Sequence, residues 1–275
     1  MLANSATDHC YAKMRPIQTA TTDMDTTLAK EVSGNPITLP EHVNVLFLQT
    51  VADKGLGSET ENGLKQLLWD HRDTFAKSKT DIGFCDLVKH DIDTGGTRPI
   101  KQSPHRPSLN SGSAEDDIID EMLATGVIQP SDSAWASPVC LVKKRDNTFR
   151  FCVDYRKLNA VSHKGAFPLP DIRQVLDSLR GAKYLIILDL QSGYWQLTNT
   201  EQAKERSAFC YRRGLFEFTR MPFGLCGAPG TFGHCMQKIL HNELWKICLC
   251  YLDDIIIFAK TKTELLQRFC IVLDS

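Results

Sequence analysis

Two adjacent carboxylates, Asp253 and Asp254, stand between an apolar run at 247–252 and a second at 255–258. A carboxylate taken out of water costs several kcal/mol unless it is paired or holds a cation, so two of them at the junction of core strands ask for a partner. The plain alternative is an exposed turn, where Asp is common because its side chain accepts backbone N–H groups. A third carboxylate, Asp189, ends the apolar stretch YLIILD, where by itself it could simply cap the following turn. If the strands are neighbours, three such aspartates can hold two Mg²⁺ ions about 3.5 to 4 Å apart, an arrangement that activates a hydroxyl and stabilises a leaving oxyanion. All-oxygen donors select Mg²⁺, with Mn²⁺ as a substitute.

A second group of charges suggests what the substrate is. Lys143, Lys144, Arg145, Arg150, Arg156 and Lys157 place six positive charges within fifteen residues. Arg grips phosphate through two parallel hydrogen bonds and Lys acts as a point charge, so the cluster suits a polyphosphate or a nucleic-acid backbone. A solvated basic hairpin is the bland reading of the same residues.

These side chains need elements to hold them. SPVCLVKKRDNTFRFCVDYRKLN reads as two strands around a basic turn, YLIILDLQ as a buried strand, and ICLCYLDDIIIFAK as two strands hinged on Asp253-Asp254. SAEDDIIDEMLATG has an acidic first turn, an apolar face and a terminal Gly126, which predicts a helix of about three turns. PLPDIRQVLDSLRG predicts another, and GLFEFTRMPFGLCGAPGTFGHCMQKIL a hairpin turning into a helix. Strands and helices alternate with antiparallel hairpins, an α+β pattern. Further upstream, 41–95 carries short amphipathic helices with Leu64, Leu67, Leu68 and Phe75 at helical spacing. Residues 1–40, rich in Thr, Ser, Asn and Asp, read as a flexible tail.

Composition narrows the class. Hydrophobic residues at 42% and charged residues at 24% describe a globular chain able to bury a core. Residues 1–100 carry 10 basic and 14 acidic side chains, whereas 101–275 carry 22 and 19, so the part with the motifs is also the more basic part. The ten cysteines are scattered through apolar stretches without a C-x-x-C pair, which favours reduced thiols and an intracellular location. No apolar run approaches the ~18 residues of a membrane span, and the N-terminus lacks the pattern of a signal peptide. No phosphate-binding glycine loop or zinc-finger spacing occurs. Asp93-Thr94-Gly95 spells the aspartic-protease triplet, but Gly96, Thr97, Arg98 and Pro99 follow where that site needs an apolar strand.

Taken together, SAWASPVCLVKKRDNTFRFCVDYRKLNAV, FPLPDIRQVLDSLRGAKYLIILDLQSGYWQL, GLFEFTRMPFGLCGAPGTF and CLCYLDDIIIFAK resemble, in order, the fingers and palm of reverse transcriptases from gypsy-type LTR retrotransposon Pol polyproteins. The resemblance implies an α+β right-hand polymerase fold of fingers and palm over 96–275, with an antiparallel palm sheet and no thumb, preceded by a connector at 41–95. It implies an RNA-directed DNA polymerase that adds dNTPs to the 3′-hydroxyl of a primer on an RNA or DNA template. Asp189, Asp253 and Asp254 would be the catalytic carboxylates and hold two Mg²⁺ ions, with the Leu190 carbonyl as a further ligand. Lys143, Arg150, Tyr194, Phe223 and Gly227 would bind the nucleotide, Tyr194 as the gate against a 2′-hydroxyl. On its own, Tyr194 reads as a core aromatic beside Trp195. The other Pol domains would be partners, in a cytoplasmic particle or the nucleus.

The sequence also departs from the family. Gly227, Gly230 and Gly233 replace a usual Asn, Ala and Gln or Glu, and Arg206-Ser207 stands for a Lys-Thr pair. With the chain stopping at Ser275, about twenty residues after the aspartate pair, the alternative expectation is a truncated, catalytically silent remnant that binds nucleic acid or nothing.

Overall fold

The structure, a computed structural model, describes residues 14–18, 37–51, 56–104, 112–143, 149–168 and 170–275. In chain order the elements are β1 (Met14–Gln18), α1 (Glu41–Val51), α2 (Ser58–Asp70), β2 (Cys85–His90), α3 (Gly112–Ala124), β3 (Ile128–Pro130), β4 (Ser137–Lys143), β5 (Phe149–Val153), α4 (Arg156–Val161) and α5 (Ile172–Ser178). They continue with β6 (Tyr184–Leu190), β7 (Leu197–Asn199), α6 (Glu201–Arg206), β8 (Phe209–Tyr211), β9 (Gly214–Phe218), α7 (Ala228–Ile239), β10 (Cys248–Tyr251), β11 (Asp254–Ala259) and α8 (Lys262–Asp274). The described residues fall into two compact units, one built from Ile82–Phe167 with Tyr194–His234, the other from the residues up to Asp81 with Pro168–Gly193 and Cys235–Ser275.

The first unit is organised around a five-stranded sheet of order β3-β9-β8-β4-β5. The basic hairpin is its β4–β5 edge, antiparallel from Val139 opposite Val153 to Lys143 opposite Phe149. Strand β4 runs parallel to β8 through Ser137 and Pro138, a pairing that hairpin patterns do not announce. Phe209 is completely buried, with the rings of Phe151, Phe216 and Phe218 around it at centroid distances of 5.2 to 5.9 Å. Helix α3 closes this core with Ile119 and Met122, three residues apart and so on one helical face. Its end is set by Gly126, whose φ of 67° lies in the left-handed region that glycine enters without strain. A separate parallel pair joins β2 to β7.

The second unit holds an antiparallel sheet of order β1-β6-β11-β10. Strand β6 does not behave as a wholly buried strand: Ile186, Leu188 and Leu190 are buried while Leu185, Ile187 and Asp189 are only partly covered. The same alternation on β11 buries Ile255, Ile257 and Ala259, as period-two geometry requires of a sheet packed on one face. Helix α8 packs against β11 and β6, and its start is fixed by Thr261, which accepts a hydrogen bond from the Glu264 N–H at 3.2 Å. Within the stretch expected to be tail, Met14–Gln18 forms β1 and pairs with β6, Arg15 opposite Asp189. A five-residue strand in a polar stretch leaves little periodic signal, and its partner supplies the pairing. The nine described cysteines are all free thiols. No helix among the described residues is long and apolar enough to cross a membrane.

Candidate active site

The β6–β11 register decides the placement of the aspartates. Asp189 is the Cα partner of Asp254, with Leu188 opposite Ile255 and Ile186 opposite Ile257 on the buried face. Side chains of directly opposed residues lie on one face of a sheet, so Asp189 and Asp254 share the partly covered face. The hinge differs slightly from expectation. Tyr251 pairs with Asp254, so Asp254 already belongs to β11 and the turn is Leu252-Asp253. Leu252 has φ 55°, the left-handed region that costs a non-glycine residue about 1–2 kcal/mol. The turn is tied down by the Leu190 N–H, which donates to the Asp253 carbonyl at 3.4 Å.

Burial, then the neighbouring Asp253 charge, push the Asp254 carboxyl above its ordinary range. The partly covered Cys250 thiol is pushed up to about 12 by burial first, with Cys248 and the two aspartates adding to it. Thiolate chemistry is therefore absent at neutral pH and the carboxylates carry whatever charge the site uses. A divalent cation fits this donor set: hard oxygens, three carboxylates at two strand ends, and a repulsion that a cation relieves. The three aspartates stand more open than a trio closed on one ion, since the only His, Cys, Asp or Glu trio whose donors come within 4.8 Å among the described residues is another one, His71, Cys270 and Asp274.

The nucleotide candidates fall in the first unit. Tyr194 stacks on Phe223 with ring centroids 5.0 Å apart and tilts onto Phe232 at 5.3 Å. Phe232 is buried whereas Phe223 is 48% exposed, so the cluster is anchored at one end and presents an aromatic surface at the other. Trp195 meets Phe223 edge-on at 6.1 Å. Gly227 is no left-handed turn residue. A Cβ there would lie 3.4 Å from His90 Cε1, and the Gly227 carbonyl accepts the Thr231 hydroxyl at 3.3 Å. Lys143 and Arg150 are placed only by backbone, on β4 and β5 with Arg150 opposite Val142; their side chains, and residues 144–148, lie outside what the structure describes.

Two residues escape sequence reasoning. His90 is 1% exposed, its Nδ1 lies 2.9 Å from the Thr231 hydroxyl, and its buried Nε2 has no hydrogen-bond partner. Burial brings its pKa down to about 4, against a weaker opposing pull from Asp91, so it is a neutral imidazole bracing the start of α7. Phe167 explains two of the unusual glycines. A Cβ on Gly233 would meet Phe167 Cε1 at 2.7 Å, and one on Gly230 would touch Phe167 Cβ at 3.5 Å. Gly233 thus opens a seat on α7 for the Phe167 ring. Arg206-Ser207 is structural as well: Arg206 donates to the Ile92 carbonyl, and the buried Ser207 hydroxyl accepts the Phe218 N–H at 3.0 Å.

The mixed sheets and helices are those of a polymerase fingers and palm fold. Among solved structures, the foamy viral protease-reverse transcriptase in complex with RNA/DNA hybrid shares it with a TM-score of 0.78 at 23% identity, over 88% of this chain and 33% of that one. Residues 142–274 match the family described as reverse transcriptase (RNA-dependent DNA polymerase). The chain is 35% identical over 222 residues to the retrovirus-related Pol polyprotein from transposon 297 of Drosophila melanogaster, covering 79% of this chain and 21% of that protein. It is 30% identical over 215 residues to the Pol polyprotein from transposon gypsy of the same fly, covering 76% and 21%. Residues 142–274 are therefore a reverse-transcriptase segment, in a chain similar over more than three quarters of its length to retrovirus-related Pol polyproteins of transposons. The chain spans about a fifth of the length of these curated relatives.

Proposed function

We propose that this chain is the catalytic core of an RNA-directed DNA polymerase, extending a primer 3′-hydroxyl with dNTPs on an RNA or DNA template. The observation that carries the reading is the register that sets Asp189 opposite Asp254 with Asp253 beside it, on the partly covered face of an apolar sheet. Asp189, Asp253 and Asp254 would hold the divalent cations, Mg²⁺ by their oxygen chemistry, with the Leu190 carbonyl as an added donor. Bound there, the cations would supply Lewis-acid activation of the primer hydroxyl and charge stabilisation of the leaving pyrophosphate.

The protein's own residues set the conditions for this. The strained Leu252 turn and the Leu190–Asp253 hydrogen bond hold the carboxylates in place before substrate arrives, so little reorganisation remains for the reaction. Tyr194, stiffened by stacking on Phe223 and Phe232, would be a rigid wall against a ribose 2′-hydroxyl. Lys143 and Arg150, on the two strands of the basic hairpin, would meet the triphosphate, and Gly227 would let backbone approach the nucleotide. We place the polymerase part at 96–275 and the connector at 41–95.

The test is dNTP incorporation by the 275-residue chain on an RNA template with an annealed DNA primer in Mg²⁺, beside the Asp253→Asn, Asp254→Asn double variant. Extension by the parent and none by the variant is the expected result. Equal extension by both would overturn the assignment of the aspartates, and silence from both would mean that the chain alone does not suffice for polymerisation.

A further inference from the structure

In the second unit, the end of α2 and the last turn of α8 bring together three donors of a different chemistry. His71, Cys270 and Asp274 each offer one ligand atom, and the three atoms lie within 4.8 Å of one another. Cys270 and Asp274 are one helical turn apart on α8 and share a face, while His71 comes from the residue that ends α2, its N–H bonded to the Leu67 carbonyl at 3.1 Å. The contacts already present are weak ones. His71 Nε2 stands 3.7 Å from Asp274 Oδ1, beyond hydrogen-bond range, and the Cys270 thiol donates to Asp274 Oδ2 at 3.5 Å. An ion pair would need only the imidazole and the carboxylate. The thiol converging on the same point is what a metal site adds.

We propose that His71, Cys270 and Asp274 bind a borderline divalent cation of the Zn²⁺ type, clipping α8 to the end of α2. One nitrogen, one sulfur and one oxygen donor suit tetrahedral Zn²⁺, with solvent in the fourth position, and do not suit Mg²⁺. The charges balance: the Cys270 proton passes to solvent, and thiolate and carboxylate together neutralise the cation beside a neutral imidazole. Access is open, because the Asp274 side chain is 63% exposed while that of His71 is 18% exposed. Helix α8 also packs on β11, whose first residue is Asp254, so the clip would stiffen the support of that strand. This site stands independently of the polymerase reading.

Co²⁺ serves as the spectroscopic probe for Zn²⁺, with the full 275-residue chain, reduced, carrying Asp253→Asn and Asp254→Asn to silence the carboxylate site. The expected result is a thiolate-to-cobalt charge-transfer band that saturates at one equivalent and is bleached by Zn²⁺. Cys270→Ser should abolish the band with the circular dichroism spectrum unchanged. Asp274→Asn, an exposed change that leaves the core untouched, should weaken Co²⁺ binding at least about tenfold, the loss that even an outer partner of a metal ligand causes. No band in excess Co²⁺, or a band that survives Cys270→Ser, would overturn the proposal.

Discussion

The two large sheets meet their polar groups in opposite ways. In the five-stranded sheet, Glu217 is 9% exposed and accepts hydrogen bonds from Gln129 Nε2 at 2.7 Å and the Ser131 hydroxyl at 2.6 Å. The buried hydroxyl of Tyr155 donates to the Ser207 carbonyl at 2.7 Å in the same unit. In the four-stranded sheet, the apolar ladder of β6 and β11 ends instead in two carboxylates set opposite each other, with a third in the adjoining turn. The first sheet is finished by its own sequence. The second gathers carboxylates at its strand ends, and burial and the Asp253 charge together make the charged form of Asp254 harder to keep, the usual sign that a strand end is built for a ligand rather than for stability.

The largest effect that could break this contrast is on activity. Removing both charges in the Asp253→Asn, Asp254→Asn variant should lower incorporation about a thousandfold or more, since several kcal/mol of charge stabilisation at ~1.4 kcal/mol per decade is at stake. The same variant should melt no lower than the parent when no divalent cation is present. The folded Asp254 carboxyl holds its proton more tightly than the unfolded chain does. Its contribution to stability therefore improves as pH falls from neutral through the raised value, and is complete below the ordinary carboxylate value. A melting temperature that drops sharply in the variant would mean that the aspartates stabilise their sheet, and the contrast would collapse.

The matching test in the first unit is Phe209→Ala, which empties the centre of the ring cluster and should reduce stability by about 3–5 kcal/mol in urea titration. His90 departs from that pattern, a buried imidazole whose Nε2 lacks a hydrogen-bond partner, as do Trp195 Nε1, Thr198 Oγ1 and Asn199 Oδ1 in the same unit. Its pKa of about 4 lies below the unfolded value, so its contribution is intact above pH 6.5 and is lost as pH falls from there toward 4. That loss amounts to about 3 kcal/mol at 1.36 kcal/mol per unit. His90→Gln should flatten the fall in urea midpoint between neutral and mildly acidic pH. The smallest effect concerns Gly233. Gly233→Gln should destabilise by about 1–3 kcal/mol through overpacking against Phe167, and Phe167→Ala should recover part of it in a double-mutant cycle.

The elements legible in the sequence are those whose signal is local. The β4–β5 and β10–β11 hairpins follow from apolar runs around short polar turns, and α3 and α5 from their stops, caps and apolar faces. The aspartates could be singled out because charge at the end of an apolar run is conspicuous in one dimension. What escaped depends on partners far along the chain. The parallel pairings β2–β7 and β4–β8 leave no turn signal, and β1 owes its existence to β6. Gly233 looks like a helix defect until Phe167 is placed against it, and His71 shows no link to Cys270 and Asp274 until α2 meets α8.

Strand β1 also bears on how the protein behaves in crowded solution. It covers the outer edge of β6, opposite the edge paired with β11. A chain starting at residue 37 would leave that edge, a row of free amide and carbonyl groups beside Ile186 and Leu188, as a template for the same edge of a second molecule. The polar N-terminal stretch would then be a guard against self-assembly, and light scattering of the shortened chain should reveal oligomers that the full chain does not form.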